Sequence, residues 1–207
     1  MKDKFSEVYR DDWERYFEHL RAVANIVLEL KNTSVEKILI ALYHDSIEDV
    51  EATFDIISYV SWSSKIALAV EAISKKDWKE YSEYKEEGKK LRNEDYFGHL
   101  ESFEKMWSYI KELAEEKNLE LTREELIEVT TNIFDVKFAD RIHNLSTQWD
   151  EDNTEKVKRK IEETKKYFLP VAKEINIDAF NKLNTLILKL EIRLAKFNKK
   201  VDNIVKW

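Results

Sequence analysis

Across its 207 residues the chain has only two glycines, Gly88 and Gly98, and one proline, Pro170. These residues supply the positive φ angles and fixed bends from which tight turns and strand reversals are built. A chain almost without them lacks the material for the many turns of a sheet protein, which leaves helices joined by short polar loops, and the expected fold class is all-α. Six Trp, nine Tyr and ten Phe supply a core and argue against disorder.

Apolar spacing predicts where the helices lie. Tyr16, Leu20, Val23, Ile26, Val27 and Leu30 recur at helical intervals over residues 12 to 31, just after Asp11 and Asp12, which are good N-caps. Thr33 with Glu36 reads as a capping box for a second, oily helix through about Tyr43. Shorter helices are expected near Thr53 to Val60 and Ser63 to Ile73, followed by a solvated, charge-dense segment from Lys75 to Leu91. Helical periodicity returns over residues 95 to 117, and Thr122 with Glu125 caps a long helix to about Gln148. After a polar break at Asp150 to Asn153, residues 154 to 175 and 178 to 204 read as two more helices. The last carries an apolar stripe (Leu183, Leu186, Ile187, Leu190, Ile192, Leu194, Phe197) that must pack on the body or on another subunit of a homo-oligomer; packing within the chain is the expectation.

Charge and residue usage narrow the function classes. A net charge of -7 disfavours a nucleic-acid partner, because that binding rests on Lys and Arg neutralising phosphates. No apolar run approaches the ~20 residues that span a bilayer, and the N-terminus lacks the apolar core of a signal peptide, so a cytoplasmic protein without a membrane partner is expected. With no cysteine, any metal must be held by His, Asp, Glu or main-chain oxygen.

Three segments carry chemistry. In LIALYHDSIED, residues 39 to 49, an apolar helix ends in His44, Asp45, Glu48 and Asp49. Two readings fit this window: an ordinary solvated helix end, or carboxylates compensated by a cation, since burying them unpaired costs several kcal/mol. In VKFADRIHN, residues 136 to 144, Asp140 and Arg141 interrupt an apolar face and Asn144 lies one turn beyond Asp140 on the same side. Asp140 is there either a salt-bridged core residue or a metal ligand with anion-holding neighbours. His19 in YFEHLRAVA sits on an apolar helix, where a lone His is more often a core residue than a ligand.

Taken together, one His, a His-Asp pair 25 residues later and a distant Asp resemble the signature of the HD phosphohydrolase superfamily. Arg10, Tyr16 and His19 followed by AVANIVLEL, then ALYHDSIEDVEAT, VEAISK, KFADRIHNLST and EETKKYFLPVAKEINI, are similar to the hydrolase domain of the RelA/SpoT alarmone enzymes over roughly residues 10 to 190. The resemblance implies a single HD-domain helical bundle over 1–207, with a core at about 10–150, an insertion at about 76–121 and C-terminal helices at about 154–204. It implies a stand-alone, Mn²⁺-dependent enzyme that releases pyrophosphate from the 3′ position of (p)ppGpp, with another divalent transition metal as the alternative. His19, His44, Asp45 and Asp140 would be the metal ligands, and Glu48 and Asp49 would orient or deprotonate the attacking water. Arg10, Lys137, Arg141 and Asn144 would hold the nucleotide, with Ser74 and Lys75 as further contacts from VEAISK.

A mixed N/O ligand set of this kind suits Mn²⁺, Fe²⁺ or Zn²⁺. Where the family carries an Arg-Lys pair about the guanine, this chain has Arg10-Asp11, which predicts altered base selectivity. Two alternatives stay open: an HD hydrolase of another nucleotide or pyrophosphorylated metabolite, and a nucleotide sensor without turnover. Retention of Glu48-Asp49 favours turnover, because a sensor could lose them without losing the fold.

Overall fold

The computed structural model describes residues 16–30, 33–151 and 153–205. Among them are helices and no strand: α1 (Tyr16–Glu29), α2 (Val35–Tyr43), α3 (Ser46–Val50), α4 (Phe54–Ser61), α5 (Ser64–Ile73), α6 (Lys85–Leu100), α7 (Phe103–Glu116), α8 (Arg123–Thr147), α9 (Thr154–Glu163), α10 (Leu169–Ile175) and α11 (Ile177–Val205). The protein is all-α. None of the helices is long and apolar enough to cross a membrane.

Side-chain oxygens set most of the helix starts. Ser34, Thr53, Ser63, Ser102, Thr122 and Asn153 each accept a bond from a first-turn amide, satisfying one of the orphan donors there. The Thr122–Glu125 capping box is formed as expected. The expected box at Thr33–Glu36 is not: Ser34 caps α2, and the Thr33 hydroxyl donates backward to the carbonyl of Val27 at 2.5 Å. Residues 95 to 117, expected as one helical stretch, divide into α6 and α7, with Ser102 capping the second.

With glycine so scarce, chain reversals fall to other residues. Glu51, Trp62 and Asn118 adopt left-handed φ angles of 52°, 57° and 55° after helices α3, α4 and α7. Gly88 instead permits a close approach of two segments. A Cβ there would stand 2.5 Å from the carbonyl oxygen of Trp78, whose single 3₁₀ turn (Trp78–Glu80) lies against α6. The helical path between α9 and α10 widens into a π turn at Thr164–Phe168. Pro170 explains it, since its ring would clash with a carbonyl four residues back in a regular helix.

α8 is the axis of the molecule. Its 25 residues span about 37 Å at ~1.5 Å per residue, and α1, α2, α5, α7 and α11 all pack on it. Its middle is therefore buried all round, with Ile133, Phe134, Val136, Phe138 and Ala139 inside a core continuous through the described helices. The expected stripe of α11 is used within the chain: Leu183, Ile187, Leu190 and Leu194 are buried against the body, while Leu188 and Ile192 face outward.

A second buried feature ties the helices together. The Lys37 ammonium of α2 lies 2.7 Å from the Asp135 carboxylate of α8, whose other oxygen accepts from the Asn176 side chain at 2.6 Å. Asn176 in turn accepts from the Ala179 amide and so caps α11. Three segments far apart in sequence thus meet at one carboxylate.

Candidate metal centre

Each member of the centre is placed by a different packing event. α1 buries Leu20, Val23 and Val27, and this puts His19, on the same helix, inside the bundle at 2% exposure. α2 ends and α3 begins at the turn His44–Asp45. On α8, Asp140 and His143 are three residues apart and so share a face that meets α1 and α2.

Donor atoms of His19, His44 and Asp140 lie within 4.8 Å of one another, forming a group able to hold a metal ion. His19 Nε2 is 3.4 Å from Asp140 Oδ1 and 3.6 Å from Asp45 Oδ2, and His44 Nε2 is 3.9 Å and 3.0 Å from the same two oxygens. Two donors that are each ~2.1 Å from one ion stand ~3 to 4 Å apart, so these separations suit a shared cation. The His44 Nδ1–H donates to the Ala41 carbonyl at 2.7 Å, which leaves Nε2 as the lone-pair nitrogen of the neutral ring. That Nε2 is buried and has no hydrogen-bond partner among the described residues. The donor chemistry and the unpartnered nitrogen both fit a divalent ion of borderline softness.

The carboxylates of the cluster are ionised. Burial by itself would raise the pKa of Asp45, but the neighbouring His44 and His19 imidazoles hold it far below the usual carboxylate range. Asp140 behaves alike: burial is outweighed by Lys137, His19 and His44. Burial would depress His44, yet Asp45 outweighs it and raises the imidazole pKa. Both carboxylates thus stay ionised in the interior, their charge compensated by Lys137 and the neighbouring imidazoles.

Basic groups border the cluster. Lys137 donates to Asp140 Oδ2 at 3.2 Å, Asn144 donates to Asp140 Oδ1 at 2.5 Å, and the Lys137 and Lys75 ammonium groups both lie over the Tyr96 ring. Arg141 is buried, bonds Glu163 at 3.2 Å and stacks on Phe168 of the π turn, 4.3 Å from the ring centre. Its Nε has no hydrogen-bond partner among the described residues.

The remaining expected site residues are placed less centrally. Glu48 and Asp49 are exposed on α3, and Glu48 accepts the Lys75 backbone N–H at 2.8 Å. The Ser74 hydroxyl donates to the Val70 carbonyl at the end of its own helix. Arg10 and Asp11 lie outside the described residues.

Sequence reasoning missed His143, Tyr96, Glu163 and Lys160. His143 and Glu163 carried a signal, lying inside the VKFADRIHN and EETKKYFLPVAKEINI segments. Burial and the neighbouring Arg141 charge push the Lys160 amine down to about 8, with Lys75 acting in the same direction and Glu163 and Asp140 opposing. Because the folded pKa lies below the ordinary 10.5, the unfolded chain binds more protons between these values, and Lys160 contributes stability that rises with pH across that window. Denaturant unfolding at pH 7 and pH 10.5 is expected to show Lys160→Met gaining on the wild type at pH 7 and losing that advantage at pH 10.5. A difference that does not vary with pH would show that the amine is not depressed.

Compared with protein-family models and with curated proteins, the chain matches none.

Proposed function

We propose that this protein is a metal-dependent phosphohydrolase of the HD type that releases pyrophosphate from a guanosine polyphosphate such as (p)ppGpp, with Mn²⁺ as its metal. One observation carries the reading: His19, His44 and Asp140 converge from three helices around a buried imidazole nitrogen with no hydrogen-bond partner among the described residues, and Asp45 adjoins them. His19, His44, Asp45 and Asp140 would hold the ion, which supplies Lewis acidity toward a phosphoryl oxygen and an attacking water.

The chain's own residues would do the rest. Lys137 and Arg141 meet phosphoryl oxygens, Arg141 with a planar fork that has a free Nε–H donor among the described contacts. Asn144 keeps the Asp140 carboxylate oriented. Glu48 and Asp49 orient the water and take up its proton as general base. A nucleotide sensor without turnover is the second reading, favoured by the Glu48 carboxylate being engaged by the Lys75 amide.

The test is purified protein with Mn²⁺ and a panel of nucleotides including ppGpp, scored for pyrophosphate against phosphate. Pyrophosphate release from ppGpp is expected, and no release from any nucleotide would sink the hydrolase reading. Glu48→Gln is expected to lower kcat by about 10²- to 10⁴-fold while leaving Mn²⁺ affinity unchanged. Equal loss of metal would mean that Glu48 is a ligand instead of a base.

A further inference from the structure

The His19 ring faces the metal cluster with one nitrogen and another imidazole with the other. His19 Nδ1 lies 2.8 Å from Nδ1 of His143, with ring centres 4.8 Å apart, and both residues are buried. Two identical atoms at that distance make a hydrogen bond only if one carries a proton and the other a lone pair. The proton's position on this pair therefore decides what His19 Nε2 presents to the carboxylate oxygens 3.4 and 3.6 Å away.

With the proton on His19 Nδ1, donated to His143, the Nε2 lone pair faces the cluster and suits a cation. With the proton on His143 Nδ1, the His19 ring keeps its remaining proton on Nε2, directed at Asp45 and Asp140, and cannot ligate. His44 has no such choice, because the Ala41 carbonyl can only accept and admits a single neutral tautomer. His143 is thus the group on which the ligand state of His19 depends.

We propose that His143 is a positioning residue for the metal: it accepts the His19 Nδ1 proton and so holds His19 in the tautomer that ligates a divalent cation through Nε2. The inference rests on the metal reading above. Partners of this kind, bonded to the far nitrogen of a ligating imidazole, typically change metal affinity by about 10- to 100-fold when removed. His143 has the geometry for that role, since α8 carries it one turn from Asp140, whose own carboxylate belongs to the cluster.

The experiment measures Mn²⁺ alone, by calorimetric titration of metal-free protein, in wild type, His143→Phe and His143→Gln. Phe fills the space without an acceptor and is expected to weaken Mn²⁺ binding by about 10- to 100-fold. Gln offers a carbonyl that accepts the same proton and is expected to retain wild-type affinity. A second measurement does not depend on either variant folding: ¹⁵N spectra of wild type loaded with diamagnetic Zn²⁺ should show His19 protonated at Nδ1. Wild-type affinity in His143→Phe, or a His19 Nδ1 without its proton, would overturn the proposal while leaving the metal site standing. Wild type that binds no divalent ion would remove both.

Discussion

Asp140→Asn is expected to abolish tight Mn²⁺ binding and to lower kcat/KM by about 10³-fold or more, the equivalent of roughly 4 kcal/mol of lost transition-state stabilisation. The substitution keeps the shape of the side chain but removes its negative charge from a buried cluster in which His19 and His44 are within 3.9 Å of it. An amide oxygen is a much weaker ligand for a divalent ion than a carboxylate. Because Lys137 also loses its charged partner at 3.2 Å, folding must be followed beside activity. Calorimetric Mn²⁺ titration with thermal melting separates the two effects. A variant that melts near the wild-type temperature yet binds no metal supports the assignment, whereas one that binds Mn²⁺ normally would remove Asp140 from the ligand set.

The largest effect on stability is expected outside the candidate metal centre, at Asp135. Its carboxylate is buried, 2.7 Å from the Lys37 ammonium and 2.6 Å from the Asn176 amide. Asp135→Ala leaves an ammonium in the core without that carboxylate, a change that typically costs about 3 to 5 kcal/mol. For a chain of this size the melting temperature should fall by roughly 10 °C. Replacing both partners, Lys37→Met with Asp135→Leu, should recover most of the loss, because apolar pairs of similar volume substitute for buried ion pairs at little cost. A drop of less than ~2 °C in the single variant would show that the pair adds nothing.

The helices are largely legible in the sequence because their signals are local. A Ser, Thr or Asn ahead of an apolar run marks a helix start whatever the chain does elsewhere, and α4, α5, α8 and α9 begin within a residue of their expected starts, each behind such a cap. Sequence and structure differ where a local signal is ambiguous. Thr33 and Ser34 are adjacent hydroxyls, and only the packing of the preceding helix, whose Val27 carbonyl takes the Thr33 hydroxyl, decides which one caps α2. Between α6 and α7 the apolar spacing of Phe97, Leu100, Phe103 and Trp107 runs straight through the break, so periodicity could not show the interruption.

For the site, the sequence by itself determined the residue types and their order: His19, the His44-Asp45 pair at the end of an oily helix, and Asp140 interrupting an apolar helix face. It could not show that these groups meet, because they are up to 121 positions apart in the chain and their convergence depends on α1 and α2 both packing on α8. Nor could it rank His143 or Lys160. A histidine becomes a tautomer-setting partner, and a lysine acquires a depressed pKa, only through the neighbours and the burial that tertiary packing supplies. Hydrophobic periodicity and capping are written residue by residue, whereas hydrogen-bond geometry and electrostatic environment exist only after distant helices have closed on one another.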